Sequence, residues 1–123
     1  EAVSRIGDVT IRATAMPTAA LGAQVATQYG ITRDDDTVML LVGVRQGSDA
    51  QEVALPARIT ATVSDLRGRK HIIDMRELRS GDLLDYVGTI EVSPPDTLRF
   101  DVQVVRENGA TSTMQFSRDF YPR

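Results

Sequence analysis

The chain has 123 residues, of which 41% are hydrophobic and 25% charged, and its formal net charge is −3. This length and composition are typical of one folded domain, here residues 1-123, and no apolar run approaches the roughly 20 residues of a membrane-spanning helix. Nucleic acids and anionic membranes attract clustered positive charge, so net acidity disfavours both as partners. The sequence has no cysteine, which excludes disulfides, thiolate nucleophiles and cysteine-ligated metal sites.

A strand and a short helix are predicted first along the chain. Residues 8–15 alternate between apolar and polar side chains, the pattern of a strand with one buried face. Thr18 is placed as the N-cap of a helix and Gly30 as its stop, with an apolar stripe between them formed by Leu21, Val25 and Tyr29. We predict a helix of about three turns that packs against the sheets by this stripe. The rival interpretation is a surface groove beside the helix that receives a partner.

Six further strands follow, for seven in all. Residues 37–45 are apolar on both faces, which predicts a central strand. Alternation predicts strands at residues 57–64, 69–77, 84–92 and 98–104. Asn108-Gly109 is a strong hairpin signal, and the strand after it turns inward Met114, Phe116 and Phe120. We therefore predict an all-β fold with one short helix, an antiparallel two-sheet sandwich that is immunoglobulin-like and has about seven strands.

His71 is the only histidine in the sequence, so any Ser-His-Asp site would depend on this one ring. Its position on the strand face of Ile73 and Met75 predicts a semi-buried residue at a strand start. A glycine-flanked serine of the hydrolase type does not occur in the sequence. We predict no catalytic role for His71.

Charge clusters supply the other candidate sites. The run Asp34-Asp35-Asp36 could offer oxygens to calcium, but adjacent aspartates are typical of a solvated turn in which Asp36 bonds nearby backbone donors. A basic cluster could hold an anionic partner, although such charges also discourage pairing between sheet edges; it comprises Arg67, Arg69, Lys70, Arg76 and Arg79.

Carboxylates on neighbouring predicted strands could form an acid and base pair for glycoside cleavage; they are Asp74, Glu77, Asp82 and Asp85. The outward phase of Asp74 and Asp85 predicts side chains that face water, which is unsuited to catalysis. We predict no catalytic, cofactor-binding or metal-binding residues.

Short segments spread over nearly the whole chain resemble a family of exported Gram-negative proteins, the domain of unknown function 4426 family. The segments that carry the resemblance are Gly7-Asp8, Ala26, Tyr29-Gly30-Ile31, Arg33, Leu66, Gly68, Arg76-Glu77, Tyr86-Val87-Gly88, Thr97-Leu98-Arg99-Phe100, Phe116 and Phe120-Tyr121. The chain departs from the family pattern at Met75, where phenylalanine is usual, and at Asp85, where tyrosine is usual. The resemblance implies a periplasmic location and an export signal upstream of Glu1 that was removed or trimmed. It implies no activity.

We expect a non-catalytic periplasmic accessory or binding module, a monomer or weak dimer that contacts another protein or an envelope component. Capture of a partner could use an unpaired sheet edge, for which the first predicted strand, near residues 8–15, is the candidate. Two alternatives stay open. One is a small hydrolase using Asp or Glu groups with His71, and the other is a carrier of a small apolar ligand between the sheets.

Overall fold

The computed structural model describes residues 1–122, apart from the side chain of Asp49. Within these residues it contains ten strands and one α-helix. In chain order they are β1 (Ala2–Ile6), β2 (Val9–Pro17), α1 (Ala23–Tyr29), β3 (Thr37–Gln46), β4 (Val53–Ala54), β5 (Ala57–Ser64), β6 (Lys70–Ile73), β7 (Arg76–Ser80), β8 (Leu83–Glu91), β9 (Asp96–Arg106) and β10 (Thr111–Phe120). The prediction of a mostly β protein with one short helix is confirmed.

The strands form two antiparallel sheets. The six-stranded sheet has the order β1-β2-β3-β8-β7, with β4 paired to β3 outside this path. The four-stranded sheet has the order β10-β9-β5-β6. The two sheets face each other across a shared core whose largest fully buried members are Phe100, Ile11, Leu40 and Leu98. The rings of Phe100 and Phe116 stack in this core with their centroids 4.9 Å apart.

The predicted strand at residues 69–77 is two strands in different sheets, so the prediction of one strand there is wrong. β6 pairs with β5 in the four-stranded sheet, whereas β7 pairs with β8 in the six-stranded sheet. Asp74 and Met75 carry the chain from one sheet to the other. Alternation shows which side chains face a core, and it does not show which sheet of a two-sheet core a strand joins. This split, with the unpredicted β1 and β4, raises the number of strands from seven to ten.

The first predicted strand is not a sheet edge. β2 pairs with β1 on one side and with β3 on the other, so the prediction of an open edge at residues 8–15 is wrong. The edge of this sheet is β1, whose Val3 and Ile6 side chains are exposed. Because these apolar side chains of β1 are exposed, the sequence of β1 does not show the pattern of a strand with one buried face.

The central strand β3 is covered on both faces, as predicted. Its inward residues join the shared core, and Met39 on the opposite face packs in a second cluster beneath the helix region. This second cluster also contains Leu21, Ala26 and Val87.

The helix is shorter than predicted and contacts the sheet through different residues. It spans seven residues and its N-cap is Gly22 rather than Thr18. The Thr18 hydroxyl is instead 3.0 Å from both the backbone N and the backbone O of Asp34, with which it exchanges hydrogen bonds. Val25 is exposed and Ala26 is buried, so the predicted stripe is wrong at Val25. The predicted stop is confirmed, because Gly30 has a φ of 67° and ends the helix in the left-handed conformation.

Within residues 1–122, no helix has both the length and the apolar character needed to span a membrane.

Candidate functional site

Two adjoining clefts lie at the end of the molecule where β3 begins and β8 ends. The helix-side cleft, of about 550 Å³, lies between the 30–34 connection and the segment around Asp74 and Arg76. The hairpin-side cleft, of about 860 Å³, lies between the β5–β6 turn and the β8–β9 connection. Ile90 and Glu91 line both clefts, so the end of β8 forms the boundary between them.

Asp65 organises the turn that forms one wall of the hairpin-side cleft. Its Oδ1 accepts hydrogen bonds from the backbone N–H groups of Arg67 and Arg69, at 3.0 and 2.9 Å. Its Oδ2 accepts a bond from Arg69 Nε at 3.1 Å and lies 3.5 Å from His71 Nε2. The turn is tied to the opposite wall because the backbone N–H of Leu66 donates to Asp96 Oδ1 at 3.0 Å. Both walls are therefore held by carboxylates that accept backbone hydrogen bonds.

These contacts shift the pKa of Asp65. Burial by itself raises the pKa of the carboxyl group, but hydrogen bonds from the Arg69 amide, the His71 ring, the Arg67 amide and the Arg69 guanidinium outweigh it. The net pKa lies below its ordinary value, so Asp65 favours the ionised form. An ionised carboxylate already surrounded by donors suits a structural role rather than that of a general acid.

Asp65→Asn is expected to lower the melting temperature at neutral pH and to reduce its fall on acidification. A carboxyl group whose pKa is lower in the folded than in the unfolded state stabilises the fold above the unfolded-state pKa. This contribution is lost as the pH falls through the folded-state pKa. Thermal unfolding of both proteins between about pH 7 and pH 2 measures the effect, and the two curves should converge at the acidic end.

The control is Glu107→Gln, which removes an exposed carboxylate from the β9–β10 loop. Its curve should follow that of the unmodified protein. A difference between Asp65→Asn and the unmodified protein that stays constant over the whole pH range would show that Asp65 contributes through its shape and not through its charge.

His71 lies at the rim of the hairpin-side cleft. Its side chain is 45% exposed, so the prediction of a semi-buried histidine is wrong. Ile73, which shares its strand face, is buried, and Met75 is partly buried. His71 is more exposed than Ile73 because β6 is the edge strand of the four-stranded sheet and His71 borders the hairpin-side cleft.

The aspartate run forms a turn beside the helix-side cleft. It is Asp34, rather than Asp36 as predicted, that accepts the local hydrogen bonds: its Oδ1 accepts from the Asp36 N–H at 2.8 Å and its Oδ2 from Thr37 Oγ1 at 2.9 Å. Within residues 1–122 no three carboxylate or imidazole side chains are grouped closely enough to hold a metal ion. The run is therefore a hydrogen-bonded turn that leads into β3.

The basic cluster is dispersed by the fold. Arg69 pairs with Asp65, and Arg79 Nε lies 3.1 Å from Glu77 Oε2. Arg76 donates to the backbone oxygen of Tyr29 and so fastens the end of the helix to the start of β7. The structure therefore uses these arginines in three separate local contacts.

The four carboxylates predicted as possible acid and base partners do not form one site. Asp85 is 7% exposed, so the prediction that it faces water is wrong. Its Oδ1 lies 2.6 Å from Arg45 Nη2, whose guanidinium also donates to the backbone oxygen of Leu84. Asp74 is exposed beside the helix-side cleft, and Asp82 is exposed in the β7–β8 turn. Neither the ion pair with Arg45 nor the cleft position of Asp74 is visible in the strand periodicity.

The backbone of β8 is open along part of one side. β8 pairs with β3 as far as Glu91, but its pairing with β7 stops at Val87. No other strand within residues 1–122 pairs with residues 88–91 on that side. We refer to this segment as the open β8 edge, and the helix-side cleft lies along it. The sequence carries no signal for this edge, because it depends on where a neighbouring strand leaves the sheet.

Comparison with known proteins identifies the family and the fold. The model of the family described as domain of unknown function (DUF4426) matches residues 3–123. No curated protein matches the chain. The crystal structure of a DUF4426 family protein from Pseudomonas aeruginosa PAO1 is similar, with a TM-score of 0.81 and 20% identity over 99% of this chain and 95% of that one. The two proteins have the same fold, and the chain belongs to the DUF4426 family.

Proposed function

We propose that this protein is a non-catalytic accessory or binding module of the periplasm that acts through contacts with another protein or an envelope component. The observation that carries the proposal is the open β8 edge, which lies between two clefts at one end of the molecule. Exposed backbone groups give affinity for a polypeptide, and adjacent pockets give selectivity. The periplasmic location rests on the resemblance to exported proteins.

We also infer that the topology is immunoglobulin-like. The order β2-β3-β8-β7 corresponds to strands A-B-E-D of that fold, and the order β10-β9-β5-β6 corresponds to G-F-C-C′. In this correspondence, β1 and β4 are additions. The A–B, C–C′ and E–F connections then come together at one end, and these are the segments that form the two clefts. Loops grouped at one end of a rigid sandwich are a common arrangement for binding.

The proposal includes the absence of catalysis, and the lowered pKa of Asp65 supports this part of it. A hydrolase that used Asp or Glu as a general acid together with His71 would need a carboxyl group with a raised pKa close to the ring. The carboxylate beside His71 is Asp65, whose pKa is lowered and whose oxygens accept bonds within the turn. This arrangement favours a binding role for the cleft.

Site-specific photo-crosslinking in the producing bacterium tests the proposal. Leu66 lines the hairpin-side cleft and is 70% exposed, so a photoreactive residue there can reach a bound partner without disturbing the core. Val53, 59% exposed and paired near the far end of β3, is the matched control. The expected result is a reproducible periplasmic adduct from position 66 and none from position 53. Equal labelling from both positions, or a cytoplasmic location on fractionation, would contradict the proposal.

A further inference from the structure

We propose that the open β8 edge binds an extended peptide segment rich in lysine or arginine, which adds to the sheet as a short strand in line with β7. This inference rests on the proposed binding function and deepens it by assigning the place, the mode and the chemistry of the partner.

The first step concerns hydrogen bonding. Alternate residues of an antiparallel strand direct their N–H and C=O groups to opposite neighbours. Two of the four residues 88–91 are therefore directed to the side where pairing with β7 has ended. These groups are arranged as in a paired strand because β3 holds the same residues on the other side. An added strand would find a preformed template.

The second step concerns space. A Cβ atom built on Gly88 would lie 2.7 Å from the backbone oxygen of Asp74, so the chain crosses directly over Gly88 on the core side as it leaves the sheet. This crossing segment therefore does not extend β7 alongside β8 in the plane of the sheet. The helix-side cleft of about 550 Å³ lies beside the edge, and four residues of an added strand would be about 13 Å long.

The third step concerns charge. The two clefts are lined by six carboxylates, namely Asp34, Asp36, Asp65, Asp74, Glu91 and Asp96, and by three arginines, namely Arg67, Arg69 and Arg76. The ion pair between Arg69 and Asp65 cancels one charge of each sign, which leaves five carboxylates and two arginines. Asp74 and Glu91 are exposed and both line the helix-side cleft. A peptide whose alternate side chains are cationic complements this surface.

A second copy of this chain is the other possible occupant. Each copy carries a formal net charge of −3, and the surface around the edge is rich in carboxylates. Repulsion between like charges therefore disfavours self-association at this place and favours a cationic partner.

The test uses the whole protein and the synthetic peptide acetyl-Lys-Thr-Lys-Val-Lys-amide as the probe. Two further versions carry backbone N-methyl groups, one at the odd and one at the even positions. An added strand uses only alternate N–H groups, so one methylated version should lose binding and the other should retain it. Binding is followed through the amide resonances of the protein, and we expect the largest shifts in residues 88–91.

Charge selectivity is tested with matched double variants. Asp74→Asn with Glu91→Gln is expected to weaken peptide binding by about fivefold at low salt. Glu52→Gln with Glu107→Gln makes the same change of charge at exposed positions outside the two clefts, and should leave the affinity unchanged. A peptide with glutamate in place of lysine should not bind.

Several results would overturn the inference: equal binding of both N-methylated peptides, equal effects of the two double variants, or no shift in residues 88–91 at about 1 mM peptide. Dimerisation of the protein that shifts the same amides would assign the edge to a second copy and overturn it as well. In each case a position-specific crosslink at residue 66 would still support the binding module, so the two proposals can fail separately.

Discussion

Gly88→Ala is expected to lower the free energy of unfolding by about 3 kcal/mol. The added Cβ atom would lie 2.6 Å from Ile73 Cγ2 and 2.7 Å from the backbone oxygen of Asp74. Real Cβ atoms do not approach other heavy atoms so closely, and the segment around Asp74 is backbone that cannot rotate away. To relieve this contact, β8 would have to move away from the segment around Asp74 that crosses between the sheets. Urea unfolding measures the difference.

Gly22→Ala is the matched control. Gly22 has nothing within 4 Å of its Cβ position, and its φ of −64° is open to alanine. This substitution at a helix N-cap should cost less than about 1 kcal/mol. A Gly88→Ala protein as stable as the Gly22→Ala protein would contradict the close packing of β8 against the crossing segment.

Phe100→Ala is expected to destabilise the protein by about 4 kcal/mol, the largest effect of any single substitution considered for this chain. Phe100 is fully buried on β9, and its ring stacks on Phe116 at a centroid distance of 4.9 Å and an interplanar angle of 16°. Truncation removes this contact and leaves a cavity between the two sheets that neighbouring side chains fill only in part. Chemical unfolding followed by circular dichroism gives the value.

Two further substitutions separate loss of packing from loss of an aromatic ring. Phe100→Leu keeps most of the volume and should cost about 1 to 2 kcal/mol. Thr113→Ala, on the exposed face of β10, should lie within about 0.5 kcal/mol of the unmodified protein. If Phe100→Ala cost no more than Thr113→Ala, residue 100 would not be part of a fixed core.

The sequence was most informative where structure depends on neighbouring residues. β3 and the hairpin between β9 and β10 lie where apolar periodicity and Asn108-Gly109 predict them. The inward residues of β9 and β10 are buried as predicted, including Met114 and Phe120. Period-two alternation reports burial directly, because successive side chains of a strand face opposite sides. The loop of this hairpin is longer than a two-residue turn, because β9 ends at Arg106 and β10 begins at Thr111.

The sequence was least informative about the candidate site. The clefts are formed by segments far apart in the chain, and Asp85 is removed from solvent by Arg45, which is forty residues away. The helix stripe failed at Val25 because Thr18 bonds to the Asp34 backbone and the helix begins only after Gly22. The residues that these contacts join are not spaced at any regular interval along the sequence, so periodicity does not predict the contacts.

Composition, alternation and turn residues thus determined by themselves that the chain is mostly β, has one short helix ending at Gly30, and buries the inward side chains of its strands. Only the tertiary structure decided that residues 70–73 and 76–80 belong to different sheets, and that β8 is left open beyond Val87. Local patterns record whether a side chain meets water or a core. The pairing of strands and the place where one ends beside another depend on the simultaneous packing of both sheets, which no single segment encodes.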